Sequence, residues 1–326
     1  MKPNSFKIWT NAAFPEDVNC LLREKSLSHA WLTSEITSSL NLVTSPADRK
    51  LAEATIAFGQ PDASQLMKLK NIRWVHLTSA GYTAYDRDDL RDWFRSNGTA
   101  LTTSSGVYDE PCAQHVVSML MAFARQLPYS LRTQHEDRSW PAANRRANSF
   151  LLNGQRVVIF GFGEIGKRLV ELLSPFRMQL VGVRRNPRGD ESIPIVSIDR
   201  SYELLGNADH IINVLPANES THGFFHEGVI RRMKPGAFFY NIGRGSTVSQ
   251  EALIQALNDQ HLAGAYLDVT SPEPLPPDHP LWFAKNCFIT PHTAGGFREE
   301  MLGLVEHFLS NLERYSSGQP LLNRVI

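Results

Sequence analysis

Short runs of β-branched and aromatic residues alternate along the chain with longer stretches whose apolar positions recur at helical spacing. That alternation predicts βα units wound around parallel sheets, an α/β class, because a β-sandwich or a helix bundle would show only one of the two periods. In the first third, strands are predicted at 6–10, 54–58, 74–77 and 100–102, with polar-faced helices between most of them. A dense stripe of Val116, Val117, Leu120, Met121 and Phe123, with Pro111 near its start, predicts a mostly buried helix over 110–125. The polar segment 126–153, rich in Arg and Asn and carrying Trp140-Pro141, reads as a connection over the surface and not as a domain boundary. A second βα series follows, with strands predicted at 156–160, 179–183, 211–215, 237–241, 264–269 and 287–290. Six strands match a dinucleotide-binding sheet. A last helix over 298–316 fits either domain on pattern alone.

The 326 residues suit two domains at roughly 100 to 200 residues each. Lys+Arg and Asp+Glu both number 33, so no basic excess points to a nucleic-acid partner. Residues 1–10 show no leader pattern, and the longest nearly apolar run, 116–124, is too short for a membrane and is broken by Ser118. Cys20, Cys112 and Cys287 have no paired spacing and suit structural thiols in a reducing cytoplasm. The histidines are scattered with no H-E-x-x-H pair, so no metal is expected.

The strand at 156–160 leads straight into Gly161-Phe162-Gly163-Glu164-Ile165-Gly166, and a helical pattern continues from Lys167. This is G-x-G-x-x-G in its strand-turn-helix setting, where the glycines permit a tight turn, a close approach to a pyrophosphate and close helix packing. A bare structural turn is the alternative. The next strand ends in Arg184-Arg185, where an acid would normally hold a ribose 2'-hydroxyl. Two guanidinium groups there favour a 2'-phosphate and hence NADP(H), with NAD(H) possible and a solvated arginine pair as the plain alternative.

Three segments lie at predicted strand ends, where an open α/β sheet places its ligand crevice: 241–245 with Arg244, 268–275 with Glu273, and 290–295 with His292. A guanidinium grips a carboxylate, an imidazole exchanges a proton near neutrality, and a carboxylate beside the ring favours its protonated form. Singly, each has a bland explanation as a surface charge, a loop acid or a packed histidine. Together they suit reduction of a 2-oxo acid.

With these motifs in order, Glu273 29 positions after Arg244 and His292 19 further on, the chain resembles the D-isomer-specific 2-hydroxyacid dehydrogenase family. Leu77-Thr78-Ser79-Ala80-Gly81, Ser105-Gly106 and Leu215-Pro216 extend the likeness to nearly the whole length. The resemblance implies that His292 is the proton donor, Glu273 its partner, and Arg244 the carboxylate and carbonyl binder. Substrate would also be held by backbone N–H groups of Ser79, Ala80 and Gly81. Cofactor contacts would come from the Gly161 to Gly166 turn, Arg184, Arg185, Leu215, Pro216, Ile242, Asp268 at the carboxamide, His292 and Gly295. The same likeness implies a Rossmann cofactor domain, 105–296, inserted in a flavodoxin-like substrate domain of 1–104 plus 297–326, with a cleft that closes over the ligands. It also implies a homodimer, with the Trp140 segment a candidate for part of the interface.

The sequence departs from the family pattern at Gln114, where many relatives carry glutamate, and at Arg184. The sequence stops at Ile326, so a regulatory extension of the kind carried by the longer phosphoglycerate dehydrogenases is not expected. The expected partner is a small 2-oxo or 2-hydroxy acid such as glyoxylate or hydroxypyruvate. Alternatives are a dinucleotide-sensing corepressor-like protein and a formate-type oxidation, the latter disfavoured by Glu273. Tyr82, Tyr108 and Trp282 are read either as an aromatic substrate wall or as packed rings.

Overall fold

In the computed structural model, which describes residues 5–38 and 46–326, nearly every apolar run noted above becomes a parallel strand. Residues 1–4 of the segment read for a leader lie outside that description. The chain divides into two units, one formed by Met1–Tyr108 with Phe297–Ile326 and the other by Asp109–Gly296.

The first unit begins β1 (Lys7–Ala12), α1 (Glu16–Lys25), β2 (Ala30–Ser38), β3 (Ile56–Phe58), α2 (Ala63–Leu66), β4 (Trp74–His76), α3 (Asp88–Asn97) and β5 (Ala100–Thr102). Its five strands lie in the order β2-β1-β3-β4-β5, all parallel, the flavodoxin-like arrangement. Side chains alternate across the pleat. Trp9, Ala57, Val75 and Leu101 face Leu66, Leu90 and Phe94, while Ile8, Ile56, Phe58 and Trp74 face Val18 and Leu22. The sequence pattern misses β2, an edge strand whose residues include Thr33, Ser34 and Glu35 and which therefore lacks a buried apolar run.

Helix α4 (Ser105–Ala124) starts before the predicted 110, so Pro111 lies inside it and not in its first turn. Lacking an N–H, Pro111 cannot bond the Val107 carbonyl one turn back, and the helix tolerates this near its start. The boundary between the units falls within this helix. The segment read as a surface connection contains α5 (Leu127–Glu136) and α6 (Ala142–Asn148). Neither helix buries a residue, which explains why no apolar stripe announced them.

The second unit continues with β6 (Arg156–Phe160), α7 (Glu164–Leu173), β7 (Gln179–Val183), β8 (Ile195–Val196), α8 (Ile198–Leu205), β9 (His210–Asn213), α9 (Glu227–Ile230), β10 (Ala237–Asn241), α10 (Gln250–Asn258), β11 (Leu262–Leu267) and β12 (Cys287–Ile289). The sheet has seven parallel strands in the order β12-β11-β10-β9-β6-β7-β8, one more than predicted, because β8 is a two-residue edge strand too short for a periodic signal. The order reverses between β6 and β9, the switch point at which such sheets bind ligands. One face packs Phe160, Ile211, Phe239 and Leu267 against Leu205, Ile230, Leu253 and Leu257. On α4, Phe123 stacks on Phe238 of β10 with ring centroids 4.9 Å apart.

The chain closes with α11 (Glu300–Ser316), which belongs to the first unit. Phe308 of α11 lies flat on Phe58 at 4.1 Å and on Trp74 at 5.4 Å. Beyond α11 the last residues line the edge of β5: Val325 N–H donates to the Leu101 carbonyl at 2.9 Å, and Leu101 N–H to the Ile326 carbonyl at 3.2 Å. This covers one of the two exposed edges of the sheet.

Candidate active site

The glycine turn joins β6 to α7, and its three glycines answer to three different constraints. Gly161 has φ +95°, and a Cβ there would meet the Val214 carbonyl oxygen at 2.6 Å. A Cβ on Gly166 would sit 3.0 Å from the Gly161 carbonyl oxygen, so the third glycine lets the helix close on the turn. At Gly163 a Cβ would meet nothing within 4 Å. The protein itself therefore makes no demand for glycine there, and the open approach suits a ligand backed by the first turn of α7. That turn has no side-chain cap, so its N–H groups and partial positive charge remain available to a pyrophosphate. The turn thus fits a dinucleotide. The Phe162 ring is buried and would clash with a Cβ on Gly182 at 2.6 Å, so it packs on β7 and leaves only its backbone for a ligand. Glu164 is ion-paired with Lys167 at 2.8 Å, and Ile165 is half-buried.

At the end of β7 the arginine pair is split. Arg184 is ion-paired with Glu191 at 3.2 Å, and the Glu191 carboxylate also accepts from the Arg188 and Gly189 N–H groups at 2.9 and 2.7 Å. Those backbone bonds are the largest of the influences that hold Glu191 below the usual carboxylate range; burial opposes them, and Arg184 adds to them. Arg185 is exposed and reaches the Ser220 hydroxyl at 2.6 Å. The sequence pattern gave no sign of Glu191, which lies beyond the turn that carries Arg188 and Gly189.

The strand-end loops nest on one another through glycines. A Cβ on Gly243 would meet the Leu215 carbonyl oxygen at 2.6 Å, and one on Gly245 would meet the Thr270 carbonyl oxygen at 1.9 Å. A buried amide network pins the same loops. Asn213 Nδ2 donates to Asn241 Oδ1 at 2.9 Å and to Thr247 Oγ1 at 2.7 Å, and Asn241 Oδ1 accepts from Gly243 N–H at 3.1 Å. Thr247 Oγ1 and Asn241 Nδ2 both donate to the Arg244 carbonyl. Leu215 and Ile242 are buried and offer backbone, Pro216 is exposed, and Gly295 is half-buried. The sequence reasoning missed Asn213 and Asn241; their signal was an amide ending each of two otherwise apolar strands.

Three side chains converge in this unit. His292 Nδ1 and Glu273 Oε2 are 2.8 Å apart, and Glu273 Oε1 accepts from Thr270 N–H at 2.9 Å. Burial pushes the Glu273 carboxyl up, but the His292 and Thr270 hydrogen bonds and the charges of His292 and Arg244 outweigh it and hold it below the usual range. Burial draws the Arg244 guanidinium down from its ordinary value, with Glu273 opposing, so the two sense each other's charge. Arg244 Nη1 donates to the Gly243 carbonyl at 2.6 Å.

His292 has φ +52°, a region that a non-glycine residue occupies at a cost of about 1 to 3 kcal/mol. Asp268 holds it there. The His292 N–H donates to the Asp268 carbonyl at 2.8 Å, and the buried Asp268 carboxylate accepts from Thr293 N–H at 2.9 Å, Ala294 N–H at 3.0 Å and the Thr290 hydroxyl at 2.5 Å. Asp268 is therefore an anchor for the histidine turn, a role the sequence did not suggest.

Ser79, Ala80 and Gly81 lie in the first unit. Gln60 Nε2 donates to Thr78 Oγ1 at 3.2 Å and Ser79 Oγ at 3.0 Å, and Ser79 Oγ donates to the Gly81 carbonyl at 2.6 Å, so the turn is held from beneath. The supposed aromatic wall divides. Tyr108 is buried, with its hydroxyl 3.0 Å from the Thr78 carbonyl and 2.9 Å from Glu300; Tyr82 packs on the core of the first unit; Trp282, in the second, donates to the Pro276 carbonyl. Among the described residues no group of three His, Cys, Asp or Glu side chains converges as a metal would require, and no helix is long and apolar enough to cross a membrane.

A seven-stranded parallel sheet with a glycine turn at its switch point defines a dinucleotide-binding α/β fold. Residues 117–294 match the family model described as D-isomer specific 2-hydroxyacid dehydrogenase, NAD binding domain, and the chain belongs to that family. It is 32% identical over 231 residues to a glyoxylate reductase/hydroxypyruvate reductase of Mus musculus, covering 68% of this chain and 67% of that one. It is 29% identical over 290 residues to a formate dehydrogenase of Neurospora crassa, covering 83% and 76%. A solved D-isomer specific 2-hydroxyacid dehydrogenase from Xanthobacter autotrophicus Py2, in complex with NADPH and MES, superposes with a TM-score of 0.80 at 25% identity, covering 99% of this chain and 98% of that one. The protein is a nicotinamide-dinucleotide-dependent 2-hydroxyacid dehydrogenase.

Proposed function

We propose that the chain reduces a small 2-oxo acid, glyoxylate or hydroxypyruvate, with NADPH used in preference to NADH. The observation that carries this reading is the 2.8 Å pairing of His292 with an ionised Glu273 beside a half-buried Arg244. Glu273 orients the imidazole through Nδ1 and favours its protonated form, which leaves Nε2 to give a proton to the substrate carbonyl oxygen. Arg244 grips the substrate carboxylate and offsets the negative charge that grows on that oxygen. Ser79, Ala80 and Gly81 supply backbone N–H groups to the carboxylate. When bound, the dinucleotide supplies the hydride; Gly161 to Gly166 hold its pyrophosphate, and Leu215, Pro216, Ile242, Asp268 and Gly295 surround the rest. General-acid catalysis of this kind is typically worth about 10² to 10⁴ in rate.

The preference for NADPH rests on Arg185, since Arg184 already has a carboxylate partner. The glyoxylate or hydroxypyruvate assignment draws on the mouse relative, and Glu273 beside the histidine favours a carbonyl substrate over formate. Absorbance at the nicotinamide band, with both cofactors against glyoxylate, hydroxypyruvate, pyruvate and a phenyl-bearing oxo acid, tests all of this. Cofactor binding without turnover on any of them would favour a dinucleotide sensor, and an Arg185→Ala variant with an unchanged NADPH-to-NADH ratio would remove the cofactor preference.

Self-association through the α5–α6 segment is part of the same proposal. Trp140 is 92% exposed and lines a hollow of about 700 Å³ with Ser130, Thr133, Gln134 and Arg145, and Leu127, Leu131 and Leu151 of the same stretch of chain are also exposed. Large apolar side chains left exposed along one segment suit a contact surface. Light scattering on Trp140→Asp is expected to give the monomer mass where the wild type gives a dimer.

A further inference from the structure

His115 lies on α4, outside every strand-end loop, yet its ring reaches the residues that hold the histidine turn. Its Nε2 is hydrogen-bonded to the hydroxyl of Tyr266, lies 3.4 Å from Thr290 Oγ1 and 3.9 Å from Asp268 Oδ1. Tyr266 is fully buried on β11, and its hydroxyl is 2.6 Å from Thr290 Oγ1. Thr290 Oγ1 in turn donates to Asp268 Oδ1 at 2.5 Å. Asp268 then fixes the Thr293 and Ala294 N–H groups. All of these residues belong to one unit.

The hydrogens in this chain can be counted. The Thr290 hydroxyl has one, and it goes to Asp268, so Thr290 can only accept from Tyr266. The Tyr266 hydroxyl also has one. If it goes to Thr290, the Tyr266 oxygen must accept from His115, which requires a hydrogen on Nε2. With the hydrogen on Nδ1 instead, His115 Nε2 draws the Tyr266 hydrogen to itself. The Tyr266 and Thr290 oxygens, 2.6 Å apart, then face each other with none between them. Burial also draws the His115 pKa below its ordinary value, with Asp268 opposing, which favours a neutral ring with a single N–H.

We propose that His115, in its Nε2–H form, heads a directed hydrogen-bond chain through Tyr266 and Thr290 that orients Asp268 and thereby holds the turn carrying His292. His115 is a positioning residue and touches no reacting atom. The proposal rests on His292 as the proton donor in the reaction above. A glutamine at position 115 places an amide nitrogen near the position of Nε2, whereas asparagine mimics only Nδ1, so the two substitutions separate a donor requirement from mere polarity.

The test compares wild type with His115→Gln, His115→Asn, His115→Leu, Tyr266→Phe and the double His115→Leu/Tyr266→Phe variant. It measures kcat and KM on glyoxylate or hydroxypyruvate, NADPH affinity by fluorescence, and ¹⁵N spectra of histidine-labelled protein. His115→Leu, His115→Asn and Tyr266→Phe are each expected to lower kcat by about tenfold with KM nearly unchanged and NADPH affinity lowered by less than kcat. His115→Gln should recover most of that loss, and the double variant should be no worse than the worse single one. The ¹⁵N spectra should show the His115 hydrogen on Nε2. Equal activity of the Gln and Leu variants, independent losses that multiply in the double variant, or a hydrogen on Nδ1 would each overturn the proposal. If the wild type turns over no 2-oxo acid, the functional reading fails, while the ¹⁵N spectra still decide the state of the chain.

Discussion

Gln250 clasps Ser271 from both sides: its Nε2 donates to the Ser271 carbonyl at 2.6 Å and its Oε1 accepts from the Ser271 N–H at 2.9 Å. The amide lies in the first turn of α10 and is buried, so it ties the loop that carries Glu273 to a helix end. Gln250→Ala removes both bonds to the exposed Ser271 backbone, each worth about 0.5 to 1.5 kcal/mol. Turnover is expected to fall severalfold or more with little change in NADPH affinity, and Gln250→Glu should not rescue it, because a carboxylate cannot donate to the Ser271 carbonyl. Paired kinetic and binding titrations check this; an equal loss of cofactor affinity would argue for general unfolding of the unit.

His292→Ala is expected to lower kcat by about 10² to 10⁴ while dinucleotide affinity stays near wild type. Because Glu273 is held below the usual carboxylate range, it remains charged as the pH falls into the mildly acidic region, and its support for the imidazolium persists there until the pH falls through that lowered value. Glu273→Gln removes this support. kcat for reduction is then expected to fall by about tenfold or more at neutral pH, with dinucleotide affinity nearly unchanged. An unchanged kcat would detach Glu273 from proton donation.

The glycine turn separates folding from binding. Gly163→Val puts a Cβ where the protein offers nothing within 4 Å, so the thermal midpoint should hold while dinucleotide affinity collapses. Gly161→Ala combines φ +95° with a contact of 2.6 Å to the Val214 carbonyl, so it should lower the midpoint itself. Differential scanning fluorimetry with and without NADPH distinguishes the two. Retained NADPH stabilisation in Gly163→Val would place the pyrophosphate elsewhere.

His210, buried on β9 between Tyr240 at 3.0 Å and Gln155 at 2.5 Å, is pushed down to about 3, chiefly by burial. Between its ordinary 6.5 and that value the unfolded chain binds a proton that the folded chain refuses, so stability falls as the pH falls through the window. The slope approaches about 1.4 kcal/mol per pH unit from this group alone. Urea midpoints at pH 7 and pH 5 should diverge in the wild type and converge in part in His210→Gln.

Most of the βα framework was legible because β6, β9 and β10 bury nearly all their residues and so carry short apolar runs. What escaped notice had no such signature: β2 and β8 lie at sheet edges, and α5 and α6 bury nothing. The site divides in the same way. Arg244, Glu273 and His292 stand out because their chemistry is rare at strand ends, whereas Gln250, Asn213 and Tyr266 do their holding through ordinary polar groups whose partners lie far along the chain. The Arg184–Glu191 pairing was hidden because a carboxylate seven positions away gives no local pattern that directs it back onto the strand end.

The first unit is assembled from both ends of the chain, with Phe308 covering Phe58 and Trp74, and Val325 bonded to Leu101. During synthesis its five strands leave the ribosome long before the helix that shields them, while the contiguous second unit is free to fold as it emerges. The nascent protein must therefore carry an uncovered aromatic sheet face through most of translation, and slowing or truncating the final thirty or so codons would expose that face to chaperones or to aggregation without touching a single reactive group.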